Sequence, residues 1–398
     1  MAKIQKNNLY LDLIINLYNK AKIEIMIVIK IIKLLKSRWI FKMPKKSDIL
    51  IFDRVTEKAG FTGIIFKKKN YEVIDVRYES VCLPILINVI FKFGFTRIKE
   101  NYFAEFIRKV SPKIIYTAID NNMDFYKLKL LYDKCIYISD QFGISKNAYA
   151  AFKGRVKKDF FWHCKKFNKI SKKKLKADII FVFGNYEKNK MSKYIDGNYF
   201  TLGSTKNNHF YNIEKKDLSK IKDILFICSG KYNATIETEK LYFKYLISFC
   251  NKNNIHVNFL SRFGQDMEDF YRQNYAKGSW TYIPRTDMLS SYNIINKQKM
   301  VVFTHGTVGF EAFAKNIKCA VFYSDYPEKG GILHKPRYKS KGPFWTNSKK
   351  FDEFEKILKR VIKYNNQEWL MITKKYARPI MNYDPDNYQK KKIIYKFL

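Results

Sequence analysis

Short apolar runs recur along this chain, and most end on a polar residue or a glycine. Runs of this kind are too short for helices and too apolar for loops, so they predict buried strands. The first series is Asp48–Asp53, Tyr71–Val76, Lys113–Ile119, Cys135–Ser139 and Ala177–Phe183. Between them lie segments of helical period, at Leu83–Phe93, Tyr102–Val110, Asp124–Tyr132 and Glu187–Ile195. A polar, Asn- and Lys-rich stretch from Gly197 to Lys222 reads as a domain boundary. A second series follows, with strands at Asp223–Cys228, His256–Leu260, Thr281–Ile283, Met300–Phe303 and Cys319–Tyr323. Its helices fit Thr235–Lys252, Asp266–Tyr275, Asp287–Ile295, Gly309–Lys315 and Phe351–Tyr364.

Strand and helix in alternation predict an α/β fold: two Rossmann-like, doubly wound domains in series, facing a cleft. The expected boundaries are 1–46 for a basic amphipathic segment, 47–210 and 211–375 for the two domains, and 376–398 for a basic tail. In the first segment no stretch reaches the roughly 18 uninterrupted apolar residues of a spanning helix. Lys22, Lys30, Lys33 and Lys36 fall on one third of a helical wheel and isoleucines cover much of the rest, with Trp39 just beyond. That pattern predicts a helix lying on an anionic membrane surface, or else one packed on the protein with snorkelling lysines.

Charge changes the picture of partners. The chain of 398 residues has 76 basic and 36 acidic side chains, a net charge of +40. Only 12 of the 76 are arginine, which argues against nucleic acid as the partner, since base and phosphate forks lean on arginine. The excess favours anionic substrates and anionic membranes. Six scattered cysteines lack zinc spacing and read as reduced core residues. Asp384-Pro385-Asp386 resembles a metal-binding D-x-D, but it follows no strand and reads as a turn, so no metal and no cofactor are expected. The lysine runs at 67–69, 172–174 and 390–392 read as solvated.

Ligands in open parallel sheets bind beyond the carboxyl ends of the strands. In the second half those ends carry Ser229-Gly230-Lys231, Arg262, Arg285 and Thr304-His305-Gly306-Thr307. Gly306 and Gly309 would let a ligand approach the start of a helix, where unpaired N–H groups favour phosphate. The other reading is a glycine-containing turn with nothing bound. Glu311, one turn in, would accept hydrogen bonds from a ribose, or pair with Lys315 four residues on. In the first half the strand ends carry Asp53, Asp120-Asn121-Asn122 and Asp140-Gln141. A carboxylate there would serve as a base, and Asp120 is the first choice, then Asp140 and Asp53. Alternatively, Asp120 caps the helix that follows it.

The order of several pieces resembles bacterial surface-carbohydrate (O-antigen or capsule) biosynthesis proteins with a GT-B glycosyltransferase fold. These are Ile49–Asp53, Ala118–Asn122 with Phe125-Tyr126, Phe181–Gly184, Leu202–Ser204, Thr307–Ala312 and Gly342–Asn347. The chain departs from the family pattern at Gln141-Phe142-Gly143-Ile144-Ser145. The resemblance implies a metal-independent transferase that moves a sugar from a nucleotide-sugar donor to a lipid-linked or oligosaccharide acceptor. It would act in the cytoplasm, on the inner face of the cell membrane. Ser229, Gly230, Arg262, Arg285, Thr304–Thr307, Gly309 and Glu311 would hold the donor, and Asn121, Asn122 and Gln141 the acceptor. The rival readings are a sugar-nucleotide epimerase of the same fold and a non-enzymatic basic protein that binds RNA or membrane.

Overall fold

Strands that are apolar end to end are buried on both faces, as parallel strands covered by helices must be. In the computed structural model every residue of Ile49–Phe52, Ile114–Thr117, Met300–Phe303 and Lys318–Phe322 is buried. The structure describes residues 35–77, 79–95, 97–144, 175–210, 221–228, 230, 236–262, 268–304, 306–323 and 341–398. Most of the expected amphipathic segment, residues 1–34, lies outside them, as do Ser145, Ser229, Lys231 and His305.

Along the chain come β1 (Arg38–Ile40), β2 (Ile49–Phe52), α1 (Arg54–Lys58), α2 (Phe61–Ile65), β3 (Glu72–Ile74), β4 (Ser80–Cys82), α3 (Leu83–Phe93) and α4 (Ile98–Val110). Then follow β5 (Ile114–Thr117), α5 (Met123–Leu131), β6 (Ile136–Asp140), β7 (Leu175–Val182), α6 (Asn185–Met191), β8 (Ile195–Thr201) and α7 (Thr205–His209). The second half has β9 (Asp223–Ile227), α8 (Ile236–Lys252), β10 (His256–Leu260), α9 (Glu268–Asn274), β11 (Thr281–Ile283) and α10 (Ser290–Asn296). It closes with β12 (Met300–Phe303), α11 (Thr307–Ala314), β13 (Lys318–Phe322), β14 (Trp345–Thr346), α12 (Phe351–Lys363), α13 (Asn366–Ile372) and α14 (Tyr388–Ile394).

Two compact units result. One holds residues up to 54 together with 71–112, and the other holds 55–70 with 113–398. In the first unit β1 pairs in parallel with β4, and β2 with β3. In the second, β5, β6, β7 and β8 pair in parallel in that order. The same unit carries a six-stranded parallel sheet in the order β11-β10-β9-β12-β13-β14. Its core is aromatic: Phe243 and Phe259 meet edge to face with ring centroids 5.2 Å apart, and Phe226, Tyr271, Tyr275 and Trp280 close around them. Helix α12 buries Phe354, Ile357, Leu358 and Val361, a stripe at the three- and four-residue spacing of one helical face.

The second unit is not cut near residue 210, because many bonds join its two sheets. Ile144 N donates to Thr307 Oγ1 at 3.0 Å, and Asn207 Nδ2 to the Glu311 carbonyl at 3.0 Å. The stretch expected as a boundary contains β8 and α7. The helix expected through Ile195 ends at Met191, and Ile195 opens β8 instead. All five described cysteines are buried and unpaired. Among the described residues, no helix is long and apolar enough to cross a membrane.

Residues 376–398 are folded rather than a tail. Asn382 N donates to the Phe183 carbonyl at 2.7 Å, and Tyr383 bridges Gly203. Asp384 begins a turn and accepts from the N–H groups of Gln389 and Lys390, each at 3.1 Å. Lys390, expected in solvent, is fully buried and pairs with Asp140 at 2.8 Å. Tyr116 and Thr205 donate to the same carboxylate at 2.7 and 2.5 Å. Burial pushes the Lys390 ammonium below its ordinary range, and the Asp140 charge opposes that. Removing one partner of such a pair strands the other. Lys390→Met should therefore cost about 3–5 kcal/mol, read as a large drop in the urea midpoint. Lys391→Met, which removes a half-exposed pair with Asp386, should stay within about 1 kcal/mol. Equal shifts in the two variants would show that the buried pair has no special role.

Candidate functional site

The strand order β11-β10-β9-β12-β13-β14 reverses direction beside β9. The chain first builds outward from β9 to β10 and β11, then returns to β12 on the other flank. The connections diverge there, and open parallel sheets bind ligands at such a point, beyond the carboxyl ends of the strands, here β9 and β12. Cys228 and Gly230 follow β9; Thr304, Gly306 and Thr307 follow β12. Gly306 has φ 103°, which an L side chain rarely adopts, and a Cβ placed on it would meet nothing within 4 Å. The start of α11 is thus unobstructed on that side. Gly309 serves packing instead: a Cβ there would lie 2.4 Å from the Phe303 ring. Thr304 donates to Glu239 Oε1 at 2.6 Å and is buried. Thr307 accepts from Ile144 N, so the loop after β6 rests on the first turn of α11.

Glu311 lies one turn further in and is 1% exposed. Tyr292 OH lies 3.0 Å from each of its carboxylate oxygens. Burial raises its pKa above the usual carboxylate range, opposed by Lys206, Ser204, Tyr292 and Lys315. Its carboxylate faces the protein, and a ribose would reach it only by displacing Tyr292.

Lys206, on α7, is the cation beside it. The Lys206 ammonium lies 4.6 Å from the Phe142 ring centroid and 5.6 Å from that of Phe61, and these two rings stack at 5.8 Å. Lys206 is 7% exposed and makes no hydrogen bond among the described residues. Burial lowers its pKa; the Glu311 charge pulls it up and Arg285 pushes it down. Two cations therefore share one carboxylate that is itself hard to ionise. Arg285 is half-buried and donates to Ser291 Oγ at 3.3 Å. Arg262 is exposed.

In the first half of this unit, Asp120 is 5% exposed and accepts from Phe142 N at 3.2 Å. The cap of α5 is Asn122, whose side chain accepts from Asp124 N, so Asp120 is not the cap. Asn121 is exposed. Gln141 is a buried clip: it accepts from Phe183 N at 2.8 Å and donates to the Gly143 carbonyl and Glu187, both at 3.2 Å. The carboxylate of Asp140 is taken up by Lys390, Tyr116 and Thr205, which removes it as a base. Asp53, in the other unit, sits at φ 77° and pairs with Arg77 at 2.9 Å. Ser229 and His305 lie outside the described residues.

Residues 229–397 match the model of a family described as "putative O-antigen biosynthesis protein". No curated protein sequence matches the chain. Among solved structures, a "putative UDP-N-acetylglucosamine 2-epimerase from Listeria monocytogenes" aligns with TM-score 0.53 and 14% identity, over 88% of this chain and 95% of its own. A second UDP-N-acetylglucosamine 2-epimerase aligns with TM-score 0.51 and 12% identity, over 89% of this chain and 96% of its own. The spinosyn rhamnosyltransferase SpnG follows with TM-score 0.49 and 8% identity, over 86% and 99%. The chain is similar to surface-carbohydrate biosynthesis proteins and has the GT-B type of fold. At these identities the two epimerase structures speak for fold alone.

Sequence reasoning missed Lys206, Tyr292 and Phe142 as members of this cluster. The only signal was position, since Lys206 follows Leu202-Gly203-Ser204 by two residues. The cluster makes a pH prediction. A carboxyl whose folded pKa is raised contributes stability in full below its unfolded value, here about 4.5, and loses it as pH rises through the folded value. The stability of the native chain relative to Glu311→Gln should therefore decline as pH rises above about 4.5. Urea denaturation of both proteins across pH tests this, and a difference that stays flat would mean Glu311 ionises without penalty.

Proposed function

We propose that the protein is a metal-independent glycosyltransferase. It would take a nucleoside-diphosphate sugar as donor and a lipid-linked or oligosaccharide acceptor of a bacterial surface polysaccharide. The observation that carries this reading is Lys206. A buried ammonium with no hydrogen bond among the described residues, beside a second cation and near the start of α11, is an incomplete electrostatic arrangement. An incoming diphosphate completes it. Lys206, Arg285, Arg262 and the N–H groups from Gly306 onward would hold that group, with Gly230, Thr304 and Thr307 shaping the site around it. Glu311 then sets the charge and position of Lys206 and does not touch the ribose.

In the reaction, an acceptor hydroxyl oxygen bonds to the anomeric carbon as the bond from that carbon to the diphosphate oxygen breaks. The nucleoside diphosphate leaves with the bonding electrons, stabilised by the cations. The hydroxyl proton passes to the Asp120 carboxylate. Asn121 would meet the acceptor. Asn122 and Gln141 would act by fixing the loops around it.

A thermal-shift screen of UDP-, GDP- and dTDP-sugars, with a CMP-sugar as the monophosphate control, should find one diphosphate class that raises the melting temperature, because a ligand of the native state alone stabilises it. Lys206→Met should weaken that binding roughly 10- to 100-fold in calorimetry. Asp120→Asn keeps the shape and removes the base. Turnover should fall by about 10²–10⁴ with donor affinity nearly unchanged. Unchanged affinity in Lys206→Met would sink the diphosphate reading. Conversion of the nucleotide sugar with no acceptor present would instead point to an epimerase.

A further inference from the structure

Helix α3 carries an apolar face that nothing in the described structure covers. Ile85 and Val89 are buried and Leu83, Leu86 and Ile90 half-buried, while the rest of its apolar residues are exposed. Ile87 and Phe91, one turn apart, are 43% and 87% exposed, and Phe95, just past the Gly94 that ends the helix, is 81% exposed. Phe93 is also exposed. Burying aromatic rings is among the strongest drives in folding, and a soluble surface rarely shows several together.

A second exposed stretch runs alongside. Strand β1 pairs with β4, and β4 passes directly into α3. The chain leaving β1 therefore lies at the first turn of that helix, where Cys82 Sγ is 3.5 Å from the Lys42 carbonyl. Phe41 and Met43 are exposed there. Cations interleave with the apolar residues throughout. Residues 35–46 hold Lys36, Arg38, Lys42, Lys45 and Lys46; residues 83–99 add Lys92, Arg97 and Lys99. Neither stretch contains an acidic residue. Lys92 pairs with Glu105 on α4 at 3.7 Å.

We propose that this face of the first unit, α3 with the strap Phe41–Lys46, docks on an anionic lipid bilayer. Exposed aromatic and aliphatic side chains among cations match the interface of such a membrane, where rings enter the headgroup layer and lysines meet lipid phosphates. A second copy of the chain would bring like charges face to face. A nucleic acid would find few arginines and no use for Ile87 or Met43. The face is distinct from the sugar-transfer site, and its binding is read without catalysis.

Co-sedimentation of the full chain with vesicles tests the assignment. Wild type should bind vesicles of equal parts phosphatidylglycerol and phosphatidylcholine, and bind phosphatidylcholine alone far less. The exposed double variant F91S/F95S should lower binding to the mixed vesicles by roughly tenfold or more with an unchanged melting temperature. The triple variant K42E/K45E/K46E should do the same. Wild-type vesicle binding by F91S/F95S would overturn the proposal. So would a wild-type dimer that F91S/F95S splits into monomers while vesicle binding persists, because the face would then belong to a second copy.

Discussion

Lys390 and Asp140 stand 250 residues apart in sequence and form one buried ion pair. Neither charge could survive alone in that place, so each fixes the other. The pair binds α14 to the end of β6, and the surrounding bonds extend the hold. Asn387 Nδ2 donates to the Thr205 carbonyl, and Asn208 Nδ2 to Asn387. That locks α7 in place. Helix α7 in turn carries Lys206 and Asn207, the residues that meet Glu311. The candidate site is thus tied to a charge pair that joins β6 to α14.

The same logic governs the site itself. In a chain with about two basic residues for each acidic one, an interior carboxylate is claimed by several donors at once. Asp140 receives Lys390, Tyr116 and Thr205. Glu187 receives Lys190 and Gln141. Glu311 receives Tyr292 and lies beside Lys206. Of these, Glu311 is the one that faces two cations, Lys206 and Arg285, and among the described residues Lys206 makes no hydrogen bond. Glu311 lies on α11, the helix that follows β12 where the strand order reverses.

The parallel strands were legible because burial on both faces writes an uninterrupted apolar run. His256–Leu260, Thr281–Ile283 and Met300–Phe303 match the expected bounds, as does helix Leu83–Phe93. Strand β8 was not legible. It pairs only with β7, and Asp196, Gly197 and Asn198 are exposed, so its sequence alternates weakly and reads as loop. The carboxyl ends of β9 and β12 could be read from the sequence, but the direction of Glu311 could not. A helical carboxylate faces inward or outward according to partners such as Tyr292 and Lys206, which belong to other elements. Lysine burial is hidden in the same way. Lys390 and Lys391 are neighbours of one type, yet one is buried and the other is half-exposed.

The position of Lys390 also bears on how the chain reaches its fold as it is made. Synthesis runs from the amino end, and early segments ordinarily fold as they emerge. Strands β5 and β6 can align early, but Asp140 then waits for a counter-charge that leaves the ribosome 250 residues later. Until that point the first sheet holds a carboxylate with only hydroxyl partners, and it is poised to loosen. The buried pair can form only once Lys390 has been made, long after the strand that carries Asp140.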